Sequence, residues 1–118
     1  MTLKVPAPRY EVIGPGKYRT LESYTYTDPK TGRTITLVEG FESDGATGAF
    51  DVFGAAWWVH DRICVRPEFD DGTPITAWVA ARILSDILAA NGRWFRSFYW
   101  RWSTFAFGCH KTRENGWW

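Results

Sequence analysis

The sequence predicts a small α+β domain in which an N-terminal antiparallel sheet, a hairpin or three strands, packs on a three-helix cluster. Alternating β-branched and aromatic residues fill the first half, and apolar residues at three- and four-residue spacing fill the second. The 118 residues, 45% hydrophobic and 23% charged, match one folded domain. We predict a single domain over residues 1–118, with a β-rich part (1–41), a loop (42–49), a helical part (50–108) and a tail (109–118).

The strands of the sheet are predicted from alternating segments that turn residues separate. Residues 18–27 alternate, and residues 33–38 do the same after a connection at 28–32 that contains Pro and Gly. This order predicts a hairpin. Residues 10–13 have Pro and Gly on both sides, so they are expected to form a short third strand at the edge.

Three helices are predicted in the second half. The first covers residues 50–65 and ends before an Arg-Pro pair, because proline disfavours a helical residue before it. The second begins at Thr73 and Pro74, or is capped by Thr76, and runs to Asn91 and its following glycine. The third covers residues 93–107. Its apolar residues occupy more than half of its circumference, so it is expected in the core or against another apolar body.

Charge and cysteine content exclude several classes of function. With 14 Lys+Arg against 13 Asp+Glu, the formal charge of +1 gives no general field for holding nucleic acid, so no nucleic-acid partner is expected. There is no run of about 18 apolar residues and no apolar signal core, so neither a membrane span nor export is expected. Cys64 and Cys109 are too few for a disulfide scaffold and are expected to be reduced thiols in a cytoplasm.

The aromatic content is high, since 8 Trp, 8 Phe and 5 Tyr make up 18% of the chain. Such rings can supply the core of a small domain. They can also form a contact surface for a partner protein, a sugar or a lipid interface, and both interpretations stay open. The candidate binding residues are Trp57, Trp100, Trp117 and Trp118. We expect the last two, which follow a polar tail, to dock back on the domain.

Two adjacent residues of the first predicted helix could carry chemistry. His60 and Asp61 diverge by about 100° on a helix, so they can approach one water or metal ion from two sides. The acidic, glycine-containing loop at residues 42–48 precedes this helix, and its Asp44 offers a carboxylate to a hard cation such as calcium. In the structural alternative, a neighbour satisfies His60 in the core and Asp44 caps a turn. We expect His60 to lie within hydrogen-bond reach of Asp44 or of the backbone at 42–47.

A zinc site is a further possibility. His60 and Cys64 are four residues apart on the first helix, and Cys109 is followed by His110. These four side chains could surround zinc if the third helix ends near the first. The spacing within each pair permits such a site without being diagnostic of it.

An ordered set of motifs resembles a known family. The motifs lie at residues 40–47, 59–64 and 81–88, and an aromatic helix follows them. In this order they resemble the domain of unknown function 1353, a family common in tailed phages and prophages. The family usually carries His-Asp-x-x-Tyr, where this chain has Cys64 at the aromatic position, and Ala-Asp in the second helix, where this chain has Ala80 and Ala81. The proline of the family's loop is also missing.

The resemblance implies a phage-encoded protein, located in the host cytoplasm or in the virion after assembly. In the first functional hypothesis it is an accessory or virion-associated protein that binds another phage or host protein through its aromatic surface, with His60 and Asp61 as a structural polar centre. The alternative is a hydrolase acting on the host envelope, by analogy with secreted phospholipases A2. His60 would then be the general base, and Asp61 and Asp44 would hold calcium. Ala81 in place of the family's Asp favours the first hypothesis.

Asp86 is the nearest acidic residue that could replace the missing one. It lies five residues beyond Ala81, which displaces it by about 7.5 Å along the helix and about 140° around it. We therefore expect Asp86 to cap, or to pair with Arg82 or with the third helix, rather than to orient His60.

Overall fold

The computed structural model describes residues 4–43, 54–92, 101, 104 and 109–118. Over these residues the architecture is α+β, with two small antiparallel sheets and three helices, which confirms the predicted class. The strands are β1 (Tyr10–Gly14), β2 (Lys17–Thr20), β3 (Tyr24–Thr27), β4 (Thr34–Leu37) and β5 (Glu42–Ser43). The helices are α1 (Ala55–Val65), α2 (Ala77–Ala90) and α3 (His110–Glu114). The helix predicted at 93–107 lies outside the described residues except for Arg101 and Thr104.

The predicted hairpin is formed by β3 and β4. Tyr24 lies opposite Leu37 and Thr27 opposite Thr34, in antiparallel register. Alternation places Tyr26, Ile35 and Leu37 in the core, while Thr25 and Thr27 face solvent. The buried face of this hairpin packs on α1, so the two-residue period of the sequence positions the sheet against the helices.

The prediction of one continuous strand over residues 18–27 is wrong. The chain bends after Thr20, because the N–H groups of Thr20 and Leu21 donate to the carbonyls of Phe41 and Arg9. β2 therefore pairs with β1 and β5 in a separate three-stranded sheet, in the order β1-β2-β5. The predicted short strand at residues 10–13 is present as β1. The first two residues of the predicted loop form β5.

The described helix ends follow the sequence signals. α1 ends at Val65 and is capped by Arg66, immediately before the proline, while residues 50–53 of its predicted range lie outside the described part. Thr76 caps α2, and its hydroxyl accepts from the N–H of Val79 at 3.3 Å. α2 ends at Ala90 and is capped by Asn91, which is followed by a glycine with φ of 82°. The two helices bury aliphatic side chains that include Val59, Ile63, Ile83, Leu84 and Ile87.

The tail contains a short helix that the sequence did not predict. α3 begins after Cys109 and packs on both α1 and α2. Thr112 is buried, and its hydroxyl donates to the carbonyl of Cys109 at 2.9 Å. Gly116 then adopts a φ of 116°, which turns the chain back toward the start of α2. Residues 109–118 are thus part of the packed domain.

Candidate functional site

A cluster of three metal-ligating side chains lies where α1 meets the start of α3. His60 and Cys64 are one turn apart on α1, and Cys109 immediately precedes α3. Cys64 and Cys109 are joined by a disulfide, with their Cα atoms 5.7 Å apart. The prediction of two reduced thiols is therefore wrong. The packing of α3 on α1 brings together cysteines that are 45 residues apart in the sequence.

His60 completes this cluster. Both ring nitrogens lie 3.9 Å from Cys64 Sγ, and the ring stands edge-on to Trp57 with centroids 5.6 Å apart. Desolvation lowers the pKa of His60 to about 4, so the imidazole is neutral at pH 7. Its ligand atoms and those of Cys64 and Cys109 all lie within 4.8 Å of one another. His110 is exposed and is not part of this group.

Asp61 faces β5. Its carboxylate accepts a short hydrogen bond from the hydroxyl of Ser43, which is buried at the end of that strand. This bond ties α1 to the start of the predicted 42–49 loop. Within the described part of that loop, residues 42 and 43, the hydrogen bond to α1 goes to Asp61 and not to His60. Asp44 lies outside the described residues, so the predicted His60–Asp44 contact and the Asp61–Asp44 calcium site stay predictions.

The last residues of the chain dock on the first turn of α2, as the sequence led us to expect. The N–H groups of Ala77 and Trp78 donate to the carbonyls of Gly116 and Trp117 at 3.0 and 2.9 Å. These amides belong to the first turn of the helix, where N–H groups have no partner within the helix. The tail backbone therefore supplies acceptors that a helix start requires.

Asn115 fixes the same tail from its other side. Its side-chain amide donates to the carbonyls of Pro67 and Ile75, at 2.9 and 3.0 Å. Both carbonyls belong to the connection between α1 and α2. The tail is thus held by its own backbone and by one amide side chain.

Tryptophan and arginine side chains lie together where the tail docks on α2. The rings of Trp78 and Trp118 lie 5.8 Å apart, Arg101 lies over Trp78, and Arg113 lies over Trp117. Both cation–π distances are 5.8 Å. Trp117 is 47% exposed and Trp118 is 75% exposed. We call these five residues the tryptophan–arginine surface. Of the other two candidate binding residues, Trp57 lies beside His60 and Trp100 lies outside the described part.

Arg62 forms a buried polar junction that the sequence did not indicate. Its Nε donates to the carbonyl of Thr36 at 3.0 Å, and Nη1 donates to the carbonyls of Arg66 and Glu68 at 2.6 and 3.1 Å. Its Nη2 lies 3.4 Å from the carboxylate of Asp70. The junction joins α1, β4 and the following connection, and it is structural.

A second buried junction joins α2 to the turn after β3. Arg82 makes a two-pronged ion pair with Asp28, at 3.0 and 2.8 Å, and Asp28 is fully buried. Asp86 accepts from Arg82 at 3.0 Å and also lies 3.6 Å from Arg101. The prediction that Asp86 pairs with Arg82 or with the third helix is confirmed, since Arg101 belongs to the range predicted for that helix. Asp28 had appeared in the sequence only as a turn residue.

Comparisons with known proteins identify no relative of this chain. No family model, curated protein or solved structure matches this chain. The resemblance to the phage family therefore stays a prediction. Along the described residues, none of the helices has the length and apolar character that crossing a membrane requires.

Proposed function

We propose that this chain is a non-enzymatic binding protein that docks on a partner protein through the tryptophan–arginine surface. The observation that carries this proposal is the exposure of Trp117 and Trp118, 47% and 75%, on a tail whose backbone is hydrogen-bonded to α2. Tryptophan and arginine are the residue types that most often dominate the binding energy of protein interfaces.

The surface is held in place before any partner arrives. The carbonyls of Gly116 and Trp117 are fixed by α2, and the disulfide joins the residue before α3 to α1. Ordering a flexible segment opposes association, so a tail that is already ordered binds at a smaller entropic cost. This preorganisation favours a binding surface over a loose end of the chain.

The pair His60 and Asp61 has a structural part in this proposal. Asp61 holds Ser43, and through it β5, against α1, so the polar centre supports the domain rather than a reaction. The family resemblance extends the proposal to a phage accessory or virion-associated protein whose partner is a phage or host protein.

The test compares two double variants of the chain. Trp117→Ala with Trp118→Ala removes the exposed rings but keeps the backbone carbonyls that cap α2. Val12→Ala with Val38→Ala removes exposed apolar side chains, 67% and 64% exposed, from the strand-rich part of the chain and serves as the control.

The partner is first identified by cross-linking to virion and host proteins, then purified and titrated by calorimetry. The tryptophan variant should lose about thirtyfold in affinity, the loss that corresponds to the 2 kcal/mol of a hot spot. The control should bind within about twofold of the unsubstituted chain. Equal binding by the tryptophan variant would exclude this surface.

The hydrolase is a second candidate, and one observation favours it. His60 is neutral at pH 7, as a general base must be, and the adjacent Asp61 contacts the strand that leads to Asp44. In this case His60→Ala and Asp61→Asn would abolish hydrolysis of envelope phospholipid, and calcium would raise the melting temperature of chelator-treated protein. An unchanged melt with calcium would remove the Asp61–Asp44 cation site.

A further inference from the structure

The cluster of His60, Cys64 and Cys109 has the donor atoms of a zinc site. Two sulfurs and one imidazole nitrogen are a set that binds zinc well, whereas calcium takes oxygen ligands. Two of the side chains come from one face of α1 and the third from the residue before α3. Their ligand atoms lie within 4.8 Å of one another.

We propose that the reduced protein binds one Zn²⁺ through a ring nitrogen of His60 and the thiolates of Cys64 and Cys109. The fourth tetrahedral position stays open to water, as in zinc sites with three protein ligands. The site and the disulfide use the same two sulfurs, so each excludes the other. The chain would thus exchange a covalent link between α1 and α3 for a metal link.

The conversion requires a dithiol reductant. The S–S bond breaks as two electrons pass from the dithiol, which becomes a disulfide itself, and each cysteine sulfur gains one proton. Zinc then displaces these two protons to solvent when the thiolates coordinate it. The neutral imidazole contributes a lone pair and releases no proton.

The geometry needs only side-chain movement. In a tetrahedral site with Zn–S near 2.3 Å and Zn–N near 2.0 Å, neighbouring ligand atoms are about 3.5 to 3.8 Å apart. The His60 nitrogens already lie 3.9 Å from Cys64 Sγ. The two sulfurs must separate once their bond is broken, which rotation about the Cα–Cβ bonds allows at a Cα–Cα distance of 5.7 Å.

The experiment titrates Zn²⁺ into the full chain after chelator treatment, in its oxidised form and after anaerobic reduction. A competing chromophoric chelator reports the affinity, and Co²⁺ replaces Zn²⁺ to reveal thiolate-to-metal charge-transfer absorption. The reduced chain should bind one ion with that absorption, and the oxidised chain should bind at least about a hundredfold more weakly.

Two histidine variants test the ligand set. His60→Ala should weaken zinc binding by about tenfold or more, whereas His110→Ala, which removes the exposed neighbour of Cys109, should change it by less than about twofold. A reduced chain that takes up no zinc, or Co²⁺ binding without thiolate absorption, would overturn the proposal. An equal loss in both histidine variants would overturn it as well.

Folding of the reduced chain is measured alongside, by far-ultraviolet circular dichroism. If reduction alone loosens the domain, zinc should restore its spectrum and raise its melting temperature, because a metal that binds only the folded form stabilises it. A reduced, loosened chain that zinc does not restore would also contradict the proposal.

Discussion

Arg62 and His60 lie two residues apart on α1, but their surroundings differ. The guanidinium of Arg62 is buried and donates to three backbone carbonyls, with the carboxylate of Asp70 beside it. The ring of His60 contacts a sulfur atom and the ring of Trp57. A polar side chain whose hydrogen-bond donors are taken up by backbone acceptors has a structural role. A polar side chain that contacts a redox-active sulfur can instead take part in chemistry.

The Arg82 junction of α2 and the first turn of the same helix show a similar contrast. At this junction Asp28 is fully buried and pairs with Arg82, which is 12% exposed. At the first turn of α2, by contrast, backbone carbonyls of the tail accept hydrogen bonds from the helix. The side chains of Trp117 and Trp118 remain exposed. The first arrangement stabilises the domain. The second leaves aromatic side chains exposed on an ordered backbone.

The largest expected effect comes from the buried ion pair. Asp28→Ala leaves the guanidinium of Arg82, 12% exposed, without its main partner. Removing one member of a buried pair costs about 3 to 5 kcal/mol, and we expect the lower end of this range because Arg82 keeps its ion pair with Asp86. Urea unfolding should show this loss. Glu11→Gln, which breaks an exposed pair with Arg19, should cost far less because solvent screens that pair, and equal losses would refute the contrast.

The same carboxylate should give the domain a sensitivity to acid. Desolvation acts to raise the pKa of Asp28, but hydrogen bonds from Arg82 and Thr31 outweigh it, so the pKa lies below its usual range. Stability from this group is therefore present above the unfolded-state pKa of about 3.9 and is lost as pH falls through the folded value. Unfolding free energies measured between pH 6 and pH 2 should fall at the acid end. In Asp28→Asn this fall should be shallower, and an unchanged slope would contradict the assignment.

Breaking the disulfide should have the next largest effect. Reduction without metal frees a loop of 45 residues in the unfolded chain, for which the expected loss is about 2 to 4 kcal/mol. Denaturant unfolding of oxidised and reduced protein measures it. The Cys64→Ser and Cys109→Ser double variant is the control, since reductant should leave its midpoint unchanged. A reduced chain as stable as the oxidised one would show that the link contributes nothing.

Asn115→Ala should have a moderate effect. It removes two hydrogen bonds, to the carbonyls of Pro67 and Ile75, and each such bond contributes about 0.5 to 1.5 kcal/mol. The carbonyl of Pro67 keeps its bond from the N–H of Ile75, so the loss should stay near about 1 to 2 kcal/mol. Hydrogen exchange should then quicken at the amides of Ala77 and Trp78, whose acceptors are in the tail. Unchanged exchange there would show that the tail docks without Asn115.

The smallest effect on stability should come from Trp118→Ala. The ring is 75% exposed and lies beside Trp78, so its removal should change the unfolding free energy by less than about 1 kcal/mol. Thermal unfolding measures this difference. A loss of several kcal/mol would mean that the ring belongs to the core, which would weaken its assignment to a binding surface.

Local signals predicted the parts of the fold that depend on neighbouring residues. The caps of α2 at Thr76 and Asn91 and the hairpin of β3 and β4 all follow from short motifs. The bend after Thr20 could not be predicted, because Phe41 supplies the acceptor that redirects the strand. Burial of Asp28 was equally hidden, since its partner Arg82 is 54 residues away.

The candidate site was predictable only in part. The spacing of His60 and Cys64 places them on one helix face, and the sequence alone shows that. The position of Cys109 depends on α3, a helix of five residues that packing stabilises more than sequence preference does. Its pairing with Cys64 therefore became visible only in the structure. Ser43, the partner of Asp61, lies in a segment predicted to be a loop, so the contact between the two residues was not predicted.

The most direct test of the contrast within α1 is X-ray absorption at the zinc edge, on reduced protein loaded with one equivalent of Zn²⁺. The first shell should contain two sulfurs near 2.3 Å and one imidazole nitrogen near 2.0 Å, with a light atom in the remaining position. His110→Ala should leave this shell unchanged, and His60→Ala should lose the imidazole contribution. A shell of nitrogen and oxygen atoms without sulfur would contradict the assignment of His60, Cys64 and Cys109 to a metal site.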